Sequence, residues 1–577
     1  MIERICPKCN VPINGDKCTK PECGCRTISS VTIYWCKTCN IPVFDNICNI
    51  CGEKTVYLAR DIRPVFSEEK LIVALLLKKE NPHCFENNSM WNTNNGYVVD
   101  GKKIKFSISQ YNKYSLDEIR KIKEQYNEEA PKIDDSYFKK NIRNFIEANA
   151  VHYNEIKEEA TSYIRGFLKK YSIEDMFVSF SGGKDSTVTS HLVNTALGTN
   201  KVLHIFGDTT LEFPYTYEYK KRFKENEESK GVRILTAKNR EKDFEQLCSV
   251  IGPPSRVMRW CCTVFKTGAI QKTIASAFKN KTNVLTFYGI RRSESASRSK
   301  YERETESPKI SKQTVASPII DWTDFDVWLY ILSAGIDFND AYRLGYSRVG
   351  CWCCPNNGAW SELLSKVHMY DQYVKWRNQL LEFARTIGKP DPEEYIDGGN
   401  WKARQGGNGI AAAQKSIVKF EPCATDENAF NYDLQRPISE DLYELFKPFG
   451  YINKELGNKR LGEVFIMSKS GKVLLVLQGR IGKNKLKVIV KDIHIAGART
   501  LSVAEGKIQC QLTKYQMCLC CKACESVCKH DAISVREDEA GNVKYIINDE
   551  KCIRCTECVG HFDAGCYMRK VLGIRRR

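Results

Sequence analysis

The sequence predicts an α/β protein of several domains, with a phosphate-binding strand–loop–helix unit at its centre and small cysteine-ligated metal modules at both ends. Three observations predict it. An apolar strand, Met176-Phe-Val-Ser-Phe, runs into Ser181-Gly182-Gly183-Lys184-Asp185-Ser186 and then into a helix from Thr187 to about Leu197. A four-cysteine unit near the N-terminus occurs twice, Cys6-Pro-Lys-Cys9-Asn-Val-Pro-Ile and Cys36-Lys-Thr-Cys39-Asn-Ile-Pro-Val. Two runs of Cys-x2-Cys-x2-Cys close the chain.

Composition bounds the rest. A length of 577 residues allows roughly three to five domains. Hydrophobic residues at 42%, charged at 27% and aromatic at 11% are those of a globular chain with a real core. The longest apolar runs, Leu71–Leu77 and Val473–Leu477, fall short of the ~18–20 residues of a membrane span. The start, Met1-Ile-Glu-Arg-Ile-Cys-Pro, has no apolar signal region, so a cytoplasmic protein is expected. Lys and Arg exceed Asp and Glu by 88 to 70, a net +18. That excess suits a nucleotide, a nucleic acid or an acidic partner, or simply a solvated surface. The 27 cysteines in short Cys-x2-Cys clusters point to metal rather than disulfides in a reducing compartment.

In the N-terminal repeat Cys18 matches Cys48, and Cys23 matches Cys51 after a two-residue insertion. Cys6, Cys9, Cys18 and Cys23 form one set, with Cys25 competing for the last place; Cys36, Cys39, Cys48 and Cys51 form the cleaner second. Four soft thiolates are the ligand set of structural zinc, so tandem zinc ribbons and two zinc ions are expected, with iron the alternative metal. A closed four-cysteine site has no open coordination position and implies structure or docking. In the following accessory region, Tyr97–Ile108 reads as a hairpin around Asp100-Gly101. From Ser115 to about Tyr171 the pattern is helical, with solvated charged faces.

The central loop has the chemistry of a phosphate site. Its glycines admit a phosphate close to the backbone, whose N–H groups and helix N-terminus stabilise the charge. Lys184 adds a cation, and Ser181 and Ser186 add hydroxyl donors. The Gly-x4-Gly-Lys spacing of a Walker loop is missing. The loop resembles that of the PP-loop ATP pyrophosphatases. With Phe206-Gly-Asp-Thr-Thr-Leu-Glu-Phe-Pro, Gly289-Ile-Arg-Arg-Ser-Glu-Ser, Pro318-Ile-Ile-Asp-Trp-Thr-Asp-Phe-Asp-Val-Trp and Gly345-Tyr-Ser-Arg-Val-Gly-Cys, residues 175–390 resemble the phosphoadenosine phosphosulfate (PAPS) reductase family. The resemblance implies a doubly wound domain of parallel strands with its ligand at their carboxyl ends. It implies that Ser181, Gly182, Gly183, Lys184, Asp185 and Ser186 cradle the phosphate or sulfate end of an adenine nucleotide, with Asp208 nearby. It places Arg291 and Arg292 on an anionic phosphate or sulfonate, with Arg298 and Lys266 as weaker candidates. Asp321 and Asp326 are expected to pin the last strand and the following helix.

Cys261-Cys262 and Cys351-Trp-Cys353-Cys354 resemble the ligands of [4Fe–4S] adenylyl-sulfate reductases and of the DNA-phosphorothioation branch of the family. That likeness implies a cluster on Cys261, Cys262, Cys351 and Cys354, with zinc the alternative. Cys353 is an additional thiol able to replace a ligand or carry sulfur. Residues 460–510 alternate apolar and polar and read as a small β unit, a spacer or docking element whose basic residues suit nucleic acid. The last two runs resemble a bacterial two-cluster ferredoxin, in which the fourth cysteine of each run serves the other cluster. The resemblance pairs Cys518, Cys521 and Cys524 with Cys566, and Cys552, Cys555 and Cys558 with Cys528. Lys529 replaces the usual proline, and the last spacer is longer.

The expected domains are therefore tandem zinc ribbons at 1–58, an accessory region at 59–174, the PAPS-reductase-like PP-loop domain at 175–395, a second accessory region at 396–510 and an α+β ferredoxin-like domain at 511–577. The expected cofactors are three [4Fe–4S] clusters, two zinc ions and an adenine nucleotide, with Mg²⁺ if that nucleotide is ATP. The first functional expectation is reduction of adenylyl sulfate or PAPS to sulfite, with an external donor feeding the fused ferredoxin. Members of that group carry a Glu-Cys-Gly-x-His nucleophile; Cys423 in Glu421-Pro-Cys-Ala is the nearest counterpart here. The second is an ATP-dependent, adenylating sulfurtransferase acting on DNA phosphate or tRNA, favoured by the intact loop and the basic charge. The third is a nucleotide-responsive iron–sulfur sensor. The closing Arg575–Arg577 reads as a solvated tail.

Overall fold

Apolar runs with few alternating polar residues, such as Met176–Phe180 and Val284–Tyr288, form the middle of a parallel sheet because both of their faces are covered. The sheet has six strands in the order Ile234–Lys238, Leu203–Asp208, Met176–Phe180, Val284–Tyr288, Gln313–Ala316 and Glu304–Glu306. Met176–Phe180 pairs in parallel with Leu203–Asp208 on one side and with Val284–Tyr288 on the other. Gln313–Ala316 continues in parallel, and Glu304–Glu306 closes the edge antiparallel. The chain thus leaves the central strand in one direction and returns to build in the other. That is the doubly wound order, with its switch point at the carboxyl ends of Met176–Phe180 and Val284–Tyr288.

The computed structural model spans Met1–Arg577 and describes all residues except 1, 2, 7, 8, 10, 12, 14, 16, 21, 24–26, 94, 95, 229, 230, 242, 282, 296, 297, 307–312, 404–416, 521, 540, 541, 561–565 and 567–577. Cys25 and Arg575–Arg577 are therefore outside the described residues. Two units are formed. The first comprises Met1–Gly207, Leu211–Thr236 and Ser276–Lys375; the second comprises Asp208–Thr210, Ala237–Ala275 and Trp376–Arg577. The span 175–395 read as one domain contributes to both. No helix among the described residues is long and apolar enough to cross a membrane.

In the first unit the helix after the phosphate loop is Lys184–Leu197, three residues longer at its start than expected. Lys184, Asp185 and Ser186 are consequently its first turn rather than a preceding loop. Asp100 and Gly101, both at positive φ, turn the expected hairpin between Val98 and Lys103. The helices Leu116–Glu129, Ser136–Ala148 and Ala150–Gly166 follow, the first closed by a capping box between Ser115 and Glu118. The second cysteine unit, with strands Ile33–Cys36, Ile41–Val43 and Val56–Ala59, packs Trp35 and Ile41 against Phe145, Phe325 and Leu329. Phe44 stacks on His152 with ring centroids 3.6 Å apart, and His152 Nε2 lies 2.6 Å from Asp326 Oδ1. Asn149 accepts the Phe44 N–H and donates to the Pro42 carbonyl.

The second unit contains a six-stranded antiparallel sheet in the order Lys419–Pro422, Ala429–Asp433, Lys485–Val490, Val473–Gln478, Glu463–Met467 and Tyr451–Asn453. The β unit read at 460–510 thus begins earlier and ends at Val490. Leu501–Met517 is instead a helix, started by the Thr500 hydroxyl accepting the Val503 N–H. The sheet, this helix and the hairpin of Ile533–Glu537 with Val543–Ile547 share one core, including Leu475, Leu477, Val488, Ile508, Leu512, Val535 and Ile547. Ile508 is fully buried at its middle. Ile508→Ala is expected to lower the stability of this unit by about 2–5 kcal/mol. Sheet and hairpin should lose structure in one transition, checked by denaturant unfolding followed by circular dichroism and by amide hydrogen exchange of the two elements.

Candidate functional site

The phosphate loop lies at the switch point. Gly182 adopts φ +72°, and a Cβ there would sit 3.0 Å from Thr216 Cγ2. Ser181 N–H donates to Ser186 Oγ, the two hydroxyls are 3.2 Å apart, and Ser186 Oγ donates to the Gly183 carbonyl. From the neighbouring strand end, Gly289 approaches so closely that a Cβ would be 2.5 Å from the Asp185 carbonyl oxygen. Tyr342 Oη accepts the Lys184 N–H at 2.9 Å, and Asn339 donates to the Gly182 carbonyl.

Behind the loop is a buried ionic network. Arg291, 3% exposed, donates from Nε to Asp185 Oδ1 at 2.6 Å and from Nη2 to Asp324 Oδ1 at 2.7 Å. Its Nη1 donates to the Trp322 carbonyl and to Ser293 Oγ. Lys184 Nζ lies 3.1 Å from Asp185 Oδ2 and 3.3 Å from Asp324 Oδ1. Burial opposes ionisation of Asp185, but Arg291 and Lys184 outweigh it and hold the carboxyl well below the usual range. Lys184 keeps its proton against burial because Asp185 and Asp324 face it. Asp61, from the accessory region, accepts the N–H groups of Asp324 and Phe325, each at 3.0 Å. Burial, then the Asp324 charge, pushes the Asp61 carboxyl up to about 7.

This differs from the arrangement expected for the arginines. Arg291 is saturated by carboxylates and carbonyls, and Arg292 donates to Asp321 Oδ1 at 2.5 Å and to the Tyr301 carbonyl. Arg298 pairs with Glu294. Asp326 does pin a helix, accepting the Thr323 N–H and hydroxyl in a capping box. Asp208 belongs to the second unit; it is buried, accepts the Thr210 N–H at 2.9 Å, and lies 3.8 Å from Lys238 Nζ. Asp61, Asp324 and Tyr342 were not singled out from the sequence. Asp324 stands within a quoted motif, but Asp61 lies more than a hundred residues upstream of it.

The thiols divide into several groups. Cys6, Cys9, Cys18 and Cys23 bring their sulfurs within 4.8 Å of one another, as do Cys36, Cys39, Cys48 and Cys51. A tetrahedral ion with ligand bonds of about 2.3 Å sets its sulfurs about 3.8 Å apart. The Cys36–Cys51 and Cys39–Cys48 separations are 3.5 and 3.8 Å, and Cys6–Cys23 and Cys9–Cys18 are 3.4 and 3.9 Å. Both groups fit zinc. Burial first, then the crowded sulfurs, pushes Cys36 up to about 11, so metal uptake must release protons.

Cys261 and Cys262, in the second unit, open a π-helical turn over Cys262–Thr267. The Cys262 thiol is lowered to about 5, first by the bond with Cys261 and then, against burial, by Arg259 and Lys266; Arg259 Nη2 is 3.6 Å from its sulfur. Cys351, Cys353 and Cys354 belong to the first unit. Cys353 is buried, Cys351 bridges to Glu212, and the Cys354 N–H donates to the Cys351 carbonyl. Cys423, half-buried in the sheet of the second unit, has its thiol lowered to about 7, first by Thr425.

At the C-terminus Cys528, Cys552, Cys555 and Cys558 line one cavity. Among the described residues only the N-terminal groups draw their sulfurs within 4.8 Å of one another. The charges acting on Cys518 are those of Cys524, Cys566 and Cys520; Cys521 is outside the described residues. Cys520 turns its thiol to the Val535 carbonyl. Burial pushes Cys558 up to about 12. Lys514, 2% exposed, has no carboxylate within ion-pair distance among the described residues; its charge is kept, against burial, by Cys524, Cys558 and Cys566. A buried ammonium with two neutral oxygen acceptors and no carboxylate, acted on by the charges of nearby thiols, fits thiolate-ligated, anionic metal centres. Lys522 pairs with Glu241, and Glu525 with Lys272, each at 3.0 Å, tying this module to the segment that carries Cys261 and Cys262.

Comparison with known proteins reaches part of the chain. Residues 175–357 match the phosphoadenosine phosphosulfate reductase domain. Two uncharacterized proteins of Methanocaldococcus jannaschii are 32% identical over 259 residues, 44% of this chain and 51% of the relative, and 31% identical over 283 residues, 47% and 64%. The chain thus spans about half to two thirds of these relatives. The adenosine 5′-phosphosulfate reductase of Neisseria meningitidis is 27% identical over 191 residues, 33% of this chain and 70% of that enzyme. The solved phosphoadenylyl-sulfate reductase of Candida auris aligns with a TM-score of 0.28 at 16% identity, over 35% of this chain and 95% of that one.

Two measurements check this geometry. The Asp61 carboxyl is raised above its unfolded value of about 3.9, so the native state binds the extra proton between about pH 4 and 7. Its contribution to stability is therefore present at low pH and is lost as pH rises through about 7. Melting temperatures from pH 5 to 8 should fall for the wild type relative to Asp61→Asn, and parallel profiles would refute the shift. Elemental analysis should find two zinc equivalents in the N-terminal groups, and Cys48→Ser should remove one of them.

Proposed function

We propose that the protein is an iron–sulfur oxidoreductase that reduces an adenylated sulfate, adenylyl sulfate or PAPS, to sulfite. The observation that carries this reading is one chain joining a phosphoadenosine phosphosulfate reductase domain at 175–357 to C-terminal cysteines that ring a common cavity. The nucleotide phosphate is received by Ser181–Ser186 at the helix N-terminus, with Lys184 supplying the cation there. Asp185, Arg291 and Asp324 keep that turn in shape. In the net reaction the bond between sulfur and the bridging oxygen of the nucleotide phosphate breaks. Sulfur takes two electrons and leaves as sulfite, and AMP or adenosine 3′,5′-bisphosphate retains the bridging oxygen. The electrons originate in an external one-electron donor. Cys518, Cys521, Cys524 and Cys566, Cys552, Cys555, Cys558 and Cys528, and Cys261, Cys262, Cys351 and Cys354 are the proposed ligands of three [4Fe–4S] clusters, which supply one-electron chemistry when bound. Cys353, next to Cys354 in sequence, is the proposed thiol left to carry sulfur.

A second reading rests on a specific observation. The loop is intact, and Arg291 is committed to Asp185 and Asp324 rather than to an anion. That suits an ATP-dependent sulfurtransferase that adenylates an acceptor oxygen of DNA phosphate or tRNA, with Mg²⁺ on the ATP. A product assay on anaerobic, dithionite-reduced holoprotein separates the two. Sulfite with AMP or adenosine 3′,5′-bisphosphate, and no ATP turnover, is the expected result. Pyrophosphate from ATP, stimulated by tRNA or DNA and without sulfite, would replace the first reading with the second.

A further inference from the structure

Lys514 lies on the helix Leu501–Met517, ahead of both C-terminal cysteine runs. Its ammonium donates to Gln511 Oε1 at 2.7 Å and to the Cys558 carbonyl at 2.8 Å. These are neutral acceptors, and no carboxylate among the described residues reaches it. A cation stripped of water needs an anion. The thiols whose charges act on it are Cys524 and Cys566, from one ligand set, Cys558, from the other, and Cys510 of its own helix; its hydrogen bond to the Cys558 carbonyl and the core that Cys518, Cys524, Cys558 and Tyr545 share put it beside them. Tyr545, on the hairpin strand Val543–Ile547, shares this position. It is 6% exposed, and its hydroxyl is buried with no hydrogen-bond partner among the described residues. The thiols acting on it are Cys524 first, then Cys558 and Cys518. One unpaired cation and one unpaired O–H donor are thus enclosed between two sets of sulfurs, supplied by elements outside the Cys-x2-Cys runs themselves.

We propose that Lys514 and Tyr545 are a built-in tuning pair seated between the two C-terminal cysteine sets, Lys514 as the counter-charge of both clusters and Tyr545 as a hydrogen-bond donor to the sulfur of Cys524. The inference rests on the reading that these cysteines hold iron. A thiolate-ligated cluster gains one negative charge when reduced, so a fixed cation stabilises its reduced form more than its oxidised form. Net charge and hydrogen bonds to the sulfurs are among the protein's levers on cluster potential. Lys514 acts on both sets. Tyr545 acts chiefly on the set of Cys518, Cys521, Cys524 and Cys566. The pair therefore raises both potentials and separates them, making the Cys524 cluster the better acceptor of the two.

The test is an EPR-monitored potentiometric titration of the full-length, anaerobically purified protein, with iron and acid-labile sulfide measured on each sample. Lys514→Met should move both C-terminal potentials to more negative values, and Lys514→Arg should restore most of the shift. Tyr545→Phe should lower one potential more than the other. Lys514→Met and Tyr545→Phe with wild-type iron content and unchanged potentials would overturn the proposal. If Lys514→Met fails to load iron, Tyr545→Phe decides alone, because it removes a single oxygen, and an unmoved pair of potentials in it is the overturning result. A wild-type protein with zinc and no labile sulfide at these cysteines would sink the iron reading itself, and this inference with it. A loaded protein with unmoved potentials sinks the inference only.

Discussion

Two buried cations and two partly buried carboxylates meet behind the phosphate loop. Lys184 and Arg291 balance Asp185 and Asp324, and burial, then the Asp324 charge, pushes the carboxyl of a third acid, Asp61, up to about 7. The network joins segments far apart in sequence: the first turn of the loop helix, the residues just after the strand Val284–Tyr288, and the start of the helix Asp324–Ala334. Removing one partner of a buried pair leaves the other uncompensated, at a cost of about 3–5 kcal/mol. The turn Ser181–Ser186 therefore keeps its shape through electrostatics as well as through its own short hydrogen bonds. The same balance explains why Arg291 is not free for a ligand.

At the N-terminus the two cysteine groups could hold a metal ion each; among the described residues, the first buries only Ile13 besides its cysteines. Their sulfurs are close enough to repel once ionised, and an ion removes that penalty. The second unit is fixed by its neighbours as well, through Phe44 on His152 and through Asn149. At the other end the cysteine runs lean on a core shared with the six-stranded sheet, so the runs and the sheet fold as one body.

What was legible in the sequence follows from how local the signals are. The strand into Ser181–Ser186, the hairpin at Asp100-Gly101 and both N-terminal cysteine sets are written in a few adjacent residues, and each appears where its pattern put it. The helix Leu501–Met517 was missed because its apolar and polar residues are mixed around all faces: it is buried nearly throughout, and no single stripe marks it. The partners of Arg291 were missed for a different reason. A motif shows that an arginine is present but not which carboxylate neutralises it. Asp61 reaches the network only through the fold of the accessory region.

The attachment of the C-terminal cysteine module has a mechanical consequence. A module hung on a slack tether meets its neighbours only by diffusion. Here the module shares a core with the sheet beside it, and Lys522 and Glu525 anchor it to Glu241 and Lys272 on the segment of Cys261 and Cys262. The gap between that segment and the module is a fixed length of the second unit, not the outcome of a search. The two are one mechanical piece: a strain or a change of charge at the module reaches that segment through packed side chains and ion pairs, with no step of diffusion between them.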